Sequence, residues 1–269
     1  GAKNIAIGYQ CLDAQTDGER NIGIGYQALS AMDSGEDGNI AIGYLAGDSI
    51  NNASSVDNVF IGDESGRGGT GVTIGNIGIG AHAMGGYDNN AQTGTVAIGH
   101  QALTALTSGG GNTAVGYQAL LTEDAGGSST AVGYQALKVQ NNDTGYNTAV
   151  GWTAGDAVTD GYANTLIGAE SGTTGSNDLA AGIQNTLIGQ ATSVSRTDAT
   201  NQTVIGRATQ GQANNSVTLG NADVTDIYMA SDMGANIRAD NAIILAQGLR
   251  FPASQVASAN ANQLDDYEE

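Results

Sequence analysis

The chain has 269 residues, of which 42 are glycine and only one is proline, and its 27 acidic against 8 basic side chains give a formal charge of −19. The basic residues are scattered (Lys3, Arg20, Arg67, Lys138, Arg196, Arg207, Arg238, Arg250) and cannot neutralise a run of phosphates, which excludes nucleic acid and anionic lipid as partners. No apolar run approaches the roughly 18 residues that a membrane-spanning helix needs, and the acidic surface keeps the chain soluble while leaving divalent cations as conceivable companions at no identified site.

The first element, Asn4-Ile5-Ala6-Ile7-Gly8, announces the rest. The same phrase returns with small changes, closing on Gly8, Gly25, Gly43, Gly62, Gly75, Gly80, Gly99, Gly116, Gly133, Gly151, Gly168, Gly189, Gly206 and Gly220, and most successive glycines lie 17 to 19 residues apart. Such a period predicts a β-solenoid, in which stacked coils bury a core that one repeat could not bury alone. Regular apolar positions also exclude a disordered chain, despite the glycine content.

Within each phrase apolar side chains alternate with the period of a strand. Ile5 and Ile7, Ile22 and Ile24, Ile40 and Ile42, then Val96 and Ile98 share one face, which is expected to line the inside of the coil. The other face carries Ala6, Gly23, Ala41, Phe60, Thr73, Gly78, Ala97, Ala114, Ala131, Ala149, Leu166, Leu187, Val204 and Thr218. Small and apolar rather than charged, that row is expected to meet other copies of the chain. Asn opens nine of the fourteen phrases, among them Asn4, Asn21, Asn39, Asn164 and Asn185, and predicts a ladder of amides at the strand entrance. The closing glycine is expected to turn the corner.

After the glycine comes Tyr-Gln-Ala-Leu, at Tyr26–Leu29, Tyr117–Leu120 and Tyr134–Leu137, with Cys11 in the alanine slot of the first copy. The leading slot also takes Tyr44, His100 and Trp152, predicting a stacked seam of rings. Aromatic rows also bind sugars, so Tyr26, Tyr117, Tyr134 and Trp152 are the candidate binding residues. Cys11 has no partner cysteine and reads as a small buried residue. The intervening segments, such as Asp33–Gly38 and Gly109–Gly111, read as surface turns. The five-residue step from Gly75 to Gly80 breaks the period and predicts an extra strand or bulge within one coil, hence thirteen coils rather than fourteen. Fourteen coils would make a rod on the order of 65 Å long.

Beyond Gly220 the period ends. Residues 221–251 are expected to form a small β cap, with strands at Asp223–Ala230 and Asn241–Leu245, and residues 252–269 a linker or tail. The chain opens on Gly1 in mid-repeat without an initiator Met or signal peptide and reads as a fragment or processed product.

Signals of catalysis are absent from the pattern. His82 and His100 have no convergent partners at fixed spacing for a triad or a metal site. Asp33, Asp37 and Gly38 imitate part of a calcium loop, but Gly35 and Tyr44 occupy ligand positions. No carboxylate pair stands out for glycan cleavage, and Asn52 and Asn142 open sequons that matter only in a suitable secretory host. The reading is therefore a non-enzyme with no catalytic, cofactor or metal residue.

The Asn-x-Ala-Ile-Gly phrase resembles the head repeats of trimeric autotransporter adhesins, whose spacing is shorter. The longer version, Asn112–Leu120, is similar to tail-fibre and related structural proteins of bacteriophages, and Leu264–Glu269 is similar to a junction in such proteins. This resemblance implies a homotrimeric, intertwined or side-by-side β-roll. It implies a virion fibre that acts as a rigid spacer, joins other virion proteins and assists attachment to host surface glycans. A bacterial cell-surface adhesin head and a glycan-degrading tailspike are the alternatives. No receptor-binding residue is carried over.

Overall fold

The computed structural model describes residues 3–67, 71–86, 92–174 and 177–227. Among them the chain is all-β, with no helix. Thirteen strands, from Ile5–Ile7 to Ser216–Leu219, form one parallel sheet whose spatial order is the sequence order. Register is kept from coil to coil: Ala114 pairs with Ala131, Ala131 with Ala149, and Ala149 with Leu166. Parallel strands that are neighbours in sequence require the chain to travel once around between them, so the architecture is a parallel β-solenoid. At the strand spacing the sheet is about 60 Å long.

The irregular step before Gly80 resolves as expected. Thr73–Ile74 stands outside the main sheet and pairs with Gln92–Thr93 of the following coil in a second, two-stranded sheet, so two successive coils carry two strands each. The solenoid unit runs to Val224. The expected cap and tail fall almost wholly outside the described residues, and Asn221–Ile227 contains no strand.

The two strand faces are the reverse of the sequence expectation. Ala41, Ala97, Ala114, Ala131, Ala149, Leu166 and Leu187 are fully buried in the chain's own core, so the alanine row cannot meet other copies. The isoleucine face points outward: Ile7, Ile98, Val150, Ile167, Ile188 and Ile205 are each more than a third exposed. The cause is the narrowness of the coil. The wall opposite the sheet is the Ala-Leu half of the corner motif, with Ala28, Leu29, Ala102, Leu103, Ala119, Leu120, Ala136 and Leu137 all fully buried. Those leucines fill the interior, leaving room only for small residues at mid-strand. A β-carbon on Gly23 would lie 2.5 Å from Cys11 Sγ. Where mid-strand residues are large, the opposite wall gives way: Phe60 fills space over Gly66, and Leu166 space over Gly155.

Two columns of hydrogen bonds staple the coils. The Asn21 N–H donates to Asn4 Oδ1, that of Asn39 to Asn21, that of Asn164 to Asn147 and that of Asn185 to Asn164, at 2.8–2.9 Å. Each amide nitrogen donates in turn to a main-chain carbonyl of the next coil, as Asn21 Nδ2 does to Glu36 O at 2.7 Å and Asn164 Nδ2 to Gly182 O at 2.8 Å. Buried backbone groups at the strand entrance are thereby paired. At the strand exit Gly116 has φ 141°, and a β-carbon there would fall 2.2 Å from Gly133 O. Glycine is required twice over, by conformation and by the approach of the next coil.

Not every loop residue is on the surface. Glu36 and Glu123 are fully buried, which corrects the surface-turn reading of Asp33–Gly38. Glu123 accepts from Gly126 N–H and from Gln140 Nε2, both at 2.6 Å. Neither carboxyl oxygen of Glu36 has a hydrogen-bond partner. Burial pushes both carboxyls above their ordinary range.

Candidate functional site

The ring positions follow the corner glycines, so each ring inherits the coil spacing. Tyr9, Tyr26 and Tyr44 stack with centroids 5.3 Å apart. His100, Tyr117, Tyr134 and Trp152 form a second ladder, with successive separations of 5.4, 5.2 and 6.5 Å. The backbone beneath alternates in hand. Gln118 and Leu120 have φ 55° and 49°, a conformation costing about 1–2 kcal/mol per non-glycine residue. In exchange their N–H groups point to opposite neighbours, Gln118 to His100 O and Leu120 to Ala136 O. A glutamine ladder runs beside the rings, Gln118 Nε2 donating to Gln101 Oε1 and Gln135 Nε2 to Gln118 Oε1, both at 2.8 Å.

This geometry separates the four candidate binding residues. Tyr26, Tyr117 and Tyr134 each have a ring on both sides, so neither face is open to a sugar and only edges and hydroxyls meet solvent. Trp152 ends its ladder, because Ala169 follows Gly168 in the next coil. The structure brings Tyr117, Tyr134 and Trp152 into one ladder and leaves Tyr26 in the other.

The seam expected from the ring-bearing copies forms as two ladders with a break between them. Asp63 and Ala81 occupy the ring slots after Gly62 and Gly80, so the first ladder stops at Tyr44 and the second starts at His100. The signal lay in those two substitutions. A charged network occupies this place. Arg67 Nη1 meets Glu64 Oε2 at 2.9 Å, and Arg67 Nε meets Asp48 Oδ2 at 3.5 Å. His82 Nδ1 lies 3.5 Å from Glu64 Oε2, and its ring stands edge-on to His100 with centroids 6.2 Å apart. Burial pushes the Asp48 carboxyl up, and Arg67 opposes that rise.

Two other residues singled out by sequence, Asp37 and Cys11, are held in contacts within the solenoid. Asp37 accepts from Glu19 N–H at 2.6 Å and from Arg20 Nη2 at 3.3 Å, joining two coils. Cys11 is buried in the alanine slot, and burial pushes its thiol up. Among the described residues no three His, Cys, Asp or Glu side chains converge as metal ligands, and no helix is long and apolar enough to cross a membrane. No family model, curated protein or solved structure matches the chain.

Proposed function

We propose that this chain is a non-enzymatic segment of a fibre on a bacteriophage virion, a rigid spacer whose copies lie side by side and which assists attachment to host surface glycans. The observation that carries this reading is the outward apolar face. From Ile5 and Ile7 to Val217 and Leu219, isoleucine, valine, leucine and threonine line the sheet without a charged residue, on a chain of net charge −19. A strip about 60 Å by about 10 Å sits at the upper end of what a monomer leaves bare. Its covering must repeat at the strand spacing along its length, and a second copy of the same solenoid does so. The copy number of three rests on the resemblance to fibre and adhesin repeats.

The rest of the chain suits a spacer. Staples at most coils make bending costly, and the acidic exterior keeps rods from sticking except along the neutral strip. Immunogold labelling with antibody against this segment, applied to virus particles and host cells from the gene's source, tests the assignment. Decorated fibres on the particles are expected. Labelling confined to a bacterial envelope would overturn the virion reading in favour of an adhesin head.

A further inference from the structure

We propose that six threonines on the outward strip are a polar key, which makes the copies lie parallel, each coil against its like. The key rests on the side-by-side half of the functional reading and adds the direction in which the copies run. The strip has two rows. The row nearer the corner glycines, from Ile7 to Leu219, is isoleucine, valine or leucine throughout. The row nearer the strand entrance changes halfway: it is isoleucine or valine from Ile5 to Val96, then threonine in six consecutive coils, at Thr113, Thr130, Thr148, Thr165, Thr186 and Thr203. Register is unbroken across the change, Ile77 pairing with Val96 and Val96 with Thr113.

All six threonines are part-buried, and among the described residues none of their hydroxyls has a hydrogen-bond partner. On a bare strip water serves them. A covering copy removes that water, and each hydroxyl must then find a partner or weaken the contact. An antiparallel copy lays each of the thirteen coils of the main sheet against the coil at the mirrored place. Thr130, Thr148, Thr165, Thr186 and Thr203 would then face Val96, Ile77, Val59, Ile40 and Ile22, so five hydroxyls on each copy would meet hydrocarbon. In a parallel copy threonine meets threonine, which can both donate and accept, and isoleucine meets isoleucine. Sliding a parallel copy by one coil misplaces two hydroxyls, Thr113 against Val96 and Thr203 against Val217, so the row also favours full register. A few polar groups in an apolar contact thus choose between arrangements that apolar area alone leaves nearly equal.

Cross-linking of the intact chain reads the direction. In the variant Cys11→Ala, Ile24→Cys, Ile205→Cys, the new thiols sit on the strip in the second and twelfth coils, about 48 Å apart at the strand spacing, too far to link within one chain. A short bis-maleimide, with the linked peptides identified by mass spectrometry, is expected to join like positions, 24 to 24 and 205 to 205, in at least about tenfold excess over 24 to 205. Changing all six threonines to valine in that variant keeps β-branched residues on the strands and is expected to bring the two kinds of link within about twofold. Circular dichroism checks that the sheet is kept; should it be lost, Thr148→Val with Thr165→Val is expected to lower the excess by about threefold or more. The key is refuted if 24-to-205 links match or outnumber the others in the parent, or if the folded valine variants keep the parent's excess. Those results leave side-by-side association standing. A monomeric parent that forms no links overturns that association and the key with it.

Discussion

Thr95 stands where most coils place asparagine, and it shows what the asparagine does. Its N–H still donates to Asn76 Oδ1 at 3.0 Å, but its own hydroxyl is buried without a partner. Thr95→Asn should restore the staple, with an Oδ1 for the Asn112 N–H and an amide for the carbonyls of the following coil. A gain of about 1 kcal/mol is expected in chemical denaturation, the usual worth of a buried hydrogen bond. Glu36 is the second residue-scale case. Its carboxyl ordinarily titrates near 4.5 and is raised by burial, so the folded chain holds that proton more tightly than the unfolded one. Its contribution to stability is complete below pH 4.5 and is lost as pH rises through the folded value. Glu36→Gln should therefore raise the melting temperature at pH 7.5 and leave it little changed at pH 4. Calorimetry showing the opposite pH trend would contradict the enclosure of Glu36.

The elements of this fold are too short to stand alone, and each strand of about three residues is held by what brackets it. Leu166 fills space over Gly155, so Leu166→Ala should cost about 3 kcal/mol, as emptied core sites do. Tyr117→Ser interrupts four stacked rings and should cost about 1 kcal/mol, the typical worth of ring pairs, read as a lower melting temperature. The strands, the corner glycines, the asparagine ladder and the extra strand before Gly80 were all legible in the sequence, because each depends on a residue type recurring at one spacing. Which face turned inward was not. Alternation identifies two faces, and Ile outranks Ala in hydrophobicity, so transfer energy alone puts isoleucine inside. The leucines of Tyr-Gln-Ala-Leu decide otherwise by filling the core first, a matter of volume that no single strand reveals. The ladder break was visible as Asp63 and Ala81, but the charged contacts of Arg67 with Asp48 and Glu64 beside it were not, because they join residues of different coils with no repeating spacing.

At the scale of the whole molecule, moving the alanines inside changes what each substitution tests. Ala114→Glu should now unfold the coil itself, since it buries a charge in the chain's own core, whereas charges on the isoleucine face should spare the fold and disrupt only association. Sedimentation velocity of the intact chain beside the double variant Ile167→Glu, Ile188→Glu, with β-sheet content followed by circular dichroism, is the most direct test. A defined oligomer for the parent, and a folded monomer for the variant, is the predicted result. A monomeric parent, or a variant that keeps the parent's assembly, would contradict the outward isoleucine face as the surface that joins the copies.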